Sequence, residues 1–173
     1  MRELTVRMRF VKPCLGNIKG GGGRFLLPRD PAGAISFPPA WHAANVRFAY
    51  AALAVSDPAL TALKADLGRV RWEPAIASAP SRVVWHKRHS QGASYALHEA
   101  IPAGEAVSFS CHVPDAVPDK AVQDLLVYAG RYRGLSPWRP GDFGHYELVS
   151  LSPTPNQGAS PVSCPSPAGA SNS

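Results

Sequence analysis

The chain has 173 residues, 45% of them hydrophobic, enough for one core of ordinary size and too few for two comfortable domains. Lys and Arg number 18 against 12 Asp and Glu, a formal charge of +6 that is carried mostly by Arg. Three widely spaced cysteines, Cys14, Cys111 and Cys164, form no CxxC pair, which argues against a disulfide framework and a zinc knuckle.

Residues 3–11 alternate, with Leu4, Val6, Met8 and Phe10 on one side and Thr5, Arg7 and Arg9 on the other, the pattern of a half-buried strand. The loop GNIKGGGGRF follows, with four consecutive glycines that no regular element tolerates. Residues 25–27 and 34–37, around Pro28-Arg29-Asp30-Pro31-Ala32-Gly33, predict a short hairpin. In AWHAANVRFAYAALAV the residues Trp41, Ala44, Phe48 and Leu53 recur at near-helical spacing, and Pro39 suits a first helical turn. Ser56-Asp57-Pro58 caps a second short helix over 59–66, closed by Gly68. A brief strand is expected at 70–72, then strands at 82–87 and 94–99 around a polar connection. After the turn Ile101-Pro102-Ala103-Gly104, residues 106–113 alternate cleanly. Residues 119–132 carry Val122, Leu125, Leu126 and Ala129 on one helical face, and 145–151 form a last strand.

Stripped of insertions, the order is βαββαβ. The expected class is α+β, a ferredoxin-like (RRM-like) antiparallel sheet with helices on one face. The folded domain is expected over 1–152. Residues 153–173, PTPNQGASPVSCPSPAGASNS, carry no charge and no aromatic ring, so a disordered tail is predicted.

The densest chemistry lies in YAGRYRGLSPWRPGDFGHY, residues 128–146. Arg131, Arg133 and Arg139 stand with Tyr132 and Trp138 among Gly134, Gly141 and Gly144. Glycines admit a close backbone approach, guanidinium groups take phosphate oxygens, and aromatic rings offer bases a stacking face. A glycine turn and a core tryptophan explain the same residues without a ligand. Lys19 and Arg24 flank the glycine run, which lacks the P-loop pattern and reads as a phosphate-contacting loop or as a surface insertion. Within RVVWHKRH, strand alternation puts Arg82, His86 and Arg88 on one side, suited to a phosphate backbone or to plain solvent exposure. His86, His89, His98 and His112 have no carboxylate or thiolate at ligand spacing, so neither metal nor cofactor is expected. The start MRELTVRMRFVKP lacks a signal peptide's continuous apolar stretch, and no run of about eighteen apolar residues occurs, so a cytoplasmic chain without a membrane span is expected.

With its βαββαβ order, the IPAG turn and GLSPWRPGDFGHYEL after the last helix, the chain resembles the RAMP superfamily of CRISPR-associated RNA-binding proteins. Gly134-Leu135-Ser136 stands where the family has G-Φ-G, with Ser136 in place of a glycine, and Gly141-Asp142-Phe143-Gly144 stands near the G-aromatic-G half. The same ending is similar to small RAMP-like phage and prophage proteins. The resemblance implies non-catalytic binding of RNA or single-stranded DNA, with a homo-oligomer along the strand as one arrangement. It leaves two alternatives open. One is an interaction protein that mimics or inhibits a CRISPR-type defence complex. The other is a metal-independent endoribonuclease with His42 as general base and Lys19 or Arg24 as the cation.

Overall fold

The structure is a computed structural model that describes residues 1–77, 82–90, 92–136 and 143–154, with 82–90 and 92–96 as backbone only. Its eleven described strands are β1 (Arg2–Phe10), β2 (Cys14–Leu15), β3 (Ile18–Lys19), β4 (Arg24–Leu26), β5 (Ile35–Phe37), β6 (Arg71–Trp72), β7 (Ala75–Ala77), β8 (Arg82–Ser90), β9 (Gly92–Ile101), β10 (Ala106–Val113) and β11 (Tyr146–Pro153). Four helices join them: α1 (Pro39–Leu53), α2 (Pro58–Ala62), α3 (Lys64–Leu67) and α4 (Asp119–Tyr132). The architecture is α+β with antiparallel pairing dominant, consistent with a ferredoxin-like mixed fold.

The strongest alternations in the sequence build the main sheet. It runs β11-β1-β10-β7-β5, with β6 also on β10. β1 lies antiparallel to β10, with Leu4 opposite Cys111 and Val6 opposite Phe109. Leu4, Val6, Met8 and Phe10 are all buried, as are Val107, Phe109, Cys111 and Val113. Period-two alternation therefore divides each strand into a core side and a solvent side. Over the core side pack α1 and α4. Helix α4 buries Val122, Leu125, Leu126 and Ala129, the face that its spacing predicted. Pro39 opens α1 with no N–H to leave unpaired. Asp57 caps α2, its carboxylate accepting from the Leu60 N–H at 3.1 Å.

A second sheet, β2-β9-β4-β3 with β8 on β9, departs from the expectation of one sheet with insertions. The predicted hairpin of residues 25–27 and 34–37 is shortened to its turn, and residues 25–27 pair elsewhere. β4 pairs antiparallel with β3 and parallel with β9, while β5 pairs with β7. A single bridge, Arg29 to Ile35, is what joins the two stretches. Pro28 and Pro31 have no N–H for a ladder. The buried Glu99 carboxylate of β9 meanwhile accepts from the Leu27 N–H at 2.9 Å and pairs with Arg29, drawing the segment onto the second sheet. The short helix expected at 59–66 is two shorter ones, α2 and α3. Residues 82–90 and 92–101 pair in continuous register from Arg82–Ala100 to Ser90–Gly92, so both strands run longer than predicted. Among the described residues no helix is long and apolar enough to cross a membrane.

Candidate nucleic-acid interface

Helix α4 ends where its last carbonyls are capped by the turn that follows. The N–H groups of Arg133 and Gly134 both donate to the Ala129 carbonyl at 2.9 Å, and Gly134 sits at φ +71°, the left-handed conformation that ends helices. From there the chain enters a neck in which residues 134–136 lie against 143–144. Leu135 N–H donates to the Gly144 carbonyl, and Gly144 N–H donates to the Pro13 carbonyl, both at 2.8 Å. Gly144, at φ +72°, lies so close to Ser136 that a Cβ there would overlap the Ser136 backbone. Ser136 is itself buried, and its hydroxyl donates to the Leu15 carbonyl at 3.3 Å. Two of the glycines that the sequence singled out thus bring the two sides of the neck together. Trp138, Arg139 and Gly141 lie outside the described residues.

Beside this neck the outer surfaces of α1 and α4 carry aromatic rings interleaved with arginines. Tyr128 and Tyr132, one helical turn apart, have ring centroids 4.6 Å apart, and Phe48 of α1 stands 6.2 Å from Tyr128. The Arg133 guanidinium lies over the Phe48 ring at 5.0 Å, and Arg131 over Tyr132 at 5.4 Å. These geometries fall within cation–π range. His145 Nδ1–H donates to the Arg131 carbonyl at 2.7 Å, tying the last turn of α4 to the far side of the neck. A groove of about 650 Å³ runs along α4 between Leu53, Leu60, Leu63, Ala121, Tyr128 and Tyr132. The structure therefore brings Arg131, Tyr132, Arg133, Gly134 and Gly144 into one region.

The other predicted residues lie elsewhere. Lys19 and Arg24 sit on the β3–β4 hairpin of the second sheet, with Gly21–Gly23 as a tight 3-10 turn between them. Gly22 and Gly23 take φ +67° and +74°, which explains the run by backbone conformation. Arg82, His86 and Arg88 occupy β8 register positions opposite Ala100, Ala96 and Ser94. His42 is 2% exposed, on the buried side of α1, with its ring stacked on Phe109 at 4.1 Å. Burial pushes its pKa down to about 4. Among the described residues no three His, Cys, Asp or Glu side chains gather to hold a metal ion.

Two features escaped the sequence. Phe48 stood in the apolar stripe of the first helix and Tyr128 was not singled out, yet both are only half-buried, and Phe48 lies under the Arg133 guanidinium. Asn45, on the same helix, is 2% exposed. A polar amide interrupting the buried face of α1 was the available signal.

No protein-family model matches the chain, and no curated protein matches it. Among solved structures it is similar to a chain in the cryo-EM structure of Type III-B Cmr-beta bound to cognate target RNA, with a TM-score of 0.65 and 13% identity. The match covers 87% of this chain, which spans 60% of the length of that one. The likeness is one of fold.

Proposed function

We propose that the protein binds RNA, or a single strand of similar backbone, through the outer face of α1 and α4 and the neck formed by residues 134–136 and 143–144, and does so without cleaving it. One observation carries this reading. Arg131 and Arg133 are interleaved with Phe48, Tyr128 and Tyr132 beside a glycine-built loop, which is what a sequence-tolerant strand binder needs: cations for phosphates and ring faces for bases. The sheet order β11-β1-β10-β7, read as a split βαβ ferredoxin-like domain, supports it, as does the likeness to a chain from an assembly bound to target RNA.

The experiment is a salt-titrated anisotropy series with single-stranded RNA, single-stranded DNA and duplex DNA. Each phosphate contact on a single strand contributes about 0.7 to the slope of log K against log salt. The Arg131→Gln/Arg133→Gln pair is expected to flatten that slope by about 1.4. An unchanged slope and affinity in this pair would remove the proposed surface.

The endoribonuclease reading loses support from the burial of His42, because a general base must reach the 2′-hydroxyl it deprotonates. The reading as an interaction protein draws on the apolar groove along α4, a shape suited to another chain's side chains. Co-purification with a partner that survives nuclease treatment would favour it.

A further inference from the structure

We infer that a pocket between α1 and the loop neck is a base-reading subsite, with Asn45 as its specificity residue and adenine as its base. The inference rests on the proposed nucleic-acid binding. It goes beyond that reading by assigning a base preference that phosphate contacts cannot give.

The pocket has a volume of about 190 Å³, room for one planar base. Among the described residues, Trp41 and Asn45 of α1 line one side, and Arg133, Gly134, Leu135 and Ser136 line the other. It thus opens on the region where Arg133 lies over Phe48. Asn45 is 2% exposed, and neither its amide nitrogen nor its amide oxygen has a hydrogen-bond partner among the described residues. Buried polar atoms almost always find partners, and an amide left with none costs folding free energy. An apolar residue of the same size would fill the space without that cost. A site for an outside partner explains why a polar residue stands there.

What that partner must be follows from the amide. Asn offers one acceptor and one donor side by side, so its complement is a planar edge with a donor beside an acceptor. Adenine presents such an edge on both its Watson–Crick and its Hoogsteen sides, and bidentate pairing with Asn is the standard readout of adenine. The half-buried Trp41 indole supplies an aromatic wall for the inserted ring. The Arg133 guanidinium supplies a cation at the mouth for the adjoining phosphate. Both amide atoms are covered, so base reading requires the Asn45 side chain to turn toward the pocket as the base enters.

The test compares binding of short rA, rC and rU homopolymers by fluorescence anisotropy at one fixed salt concentration, using the full chain and two variants. The full chain is expected to favour rA by about 5- to 160-fold, the range that one bidentate pair provides. Asn45→Leu is expected to bind all three alike, with an undiminished salt slope and a melting temperature equal to or above the parent's. Asn45→Asp presents acceptors only and is expected to shift the preference toward rC, whose N4 amino group donates. Equal affinity of the full chain for the three homopolymers overturns the subsite and leaves the phosphate-directed surface standing. Retention of the rA preference by either variant also overturns it. Absence of binding to every strand overturns the nucleic-acid reading itself.

Discussion

His42 and Asn45 lie one turn apart on the same helix, and both place a polar atom in a buried setting without a partner among the described residues. For His42 the consequence is a pH dependence with a definite sign. Its folded pKa is depressed to about 4 from the usual 6.5, so in that window the unfolded chain binds more protons than the folded one. The stability contribution is complete above pH 6.5 and is lost as the pH falls toward 4. The integrated loss is about 3 kcal/mol, from 1.36 kcal/mol per pKa unit. His42→Leu, measured by denaturant unfolding at several pH values, should lack this acid limb and still bind RNA like the parent. Dependence of strand binding on His42 itself would contradict its purely internal placement. Gly130 is a second residue whose neighbours decide the outcome. Inside an exposed helix, Gly→Ala stabilises by roughly 1 kcal/mol. Here the added Cβ would overlap the Tyr146 carbonyl and crowd its ring. Gly130→Ala should therefore destabilise by about 1–3 kcal/mol in a chemical-denaturation measurement, the usual range for overpacking.

At the scale of elements, what could be read in advance depended on how much of an element's stability is local. β1, β10 and α4 declare themselves because one face of each is buried along its whole length, and the apolar period records that face directly. The segment from 24 to 37 could not be read this way. Its partners lie far along the chain, among them Glu99, more than sixty residues downstream, whose carboxylate holds Leu27 and Arg29. A long-range polar contact leaves no periodic trace. The loop neck was legible in part. Its glycines stood out, but their role came from the crossing of 134–136 with 143–144, which brings Gly144 against Ser136. The Ser136 Cβ fits beside Gly144 only because Gly144 has none. Arg131 and Arg133 were visible as charge. Arg131 over Tyr132 is a contact between neighbours on α4, whereas the placement of Arg133 over Phe48 required α1 and α4 to pack side by side, a tertiary fact.

The whole molecule decides which of its two surfaces can meet a strand. An RRM-like sheet would present bases to the open face of its strands, where exposed aromatic rings stack on them. The open face of the main sheet carries Glu3, Thr5, Arg7 and Arg9 from β1, with Ser108, Ser110 and His112 from β10. No Phe, Tyr or Trp stands among the described residues on the open side of these two strands. Arg9 is engaged by Glu147, and His112 Nε2 lies 3.6 Å from Glu73, so part of that surface charge is locally balanced. Stacking surface and cation charge coincide instead over α1 and α4. The two faces can be set against each other with equal changes in charge. Arg7→Gln/Arg71→Gln removes two exposed cations from the sheet side, and Arg131→Gln/Arg133→Gln removes two from the helical side. If long-range attraction alone governs binding, the two pairs weaken it alike, because net charge acts over about a Debye length regardless of face. If the helical face makes the contacts, only its pair lowers the salt slope, while the sheet-side pair changes association modestly at low salt and not at all near physiological ionic strength. Equal losses from the two pairs at physiological salt would assign the basic charge to general attraction and take the binding surface away from α1 and α4.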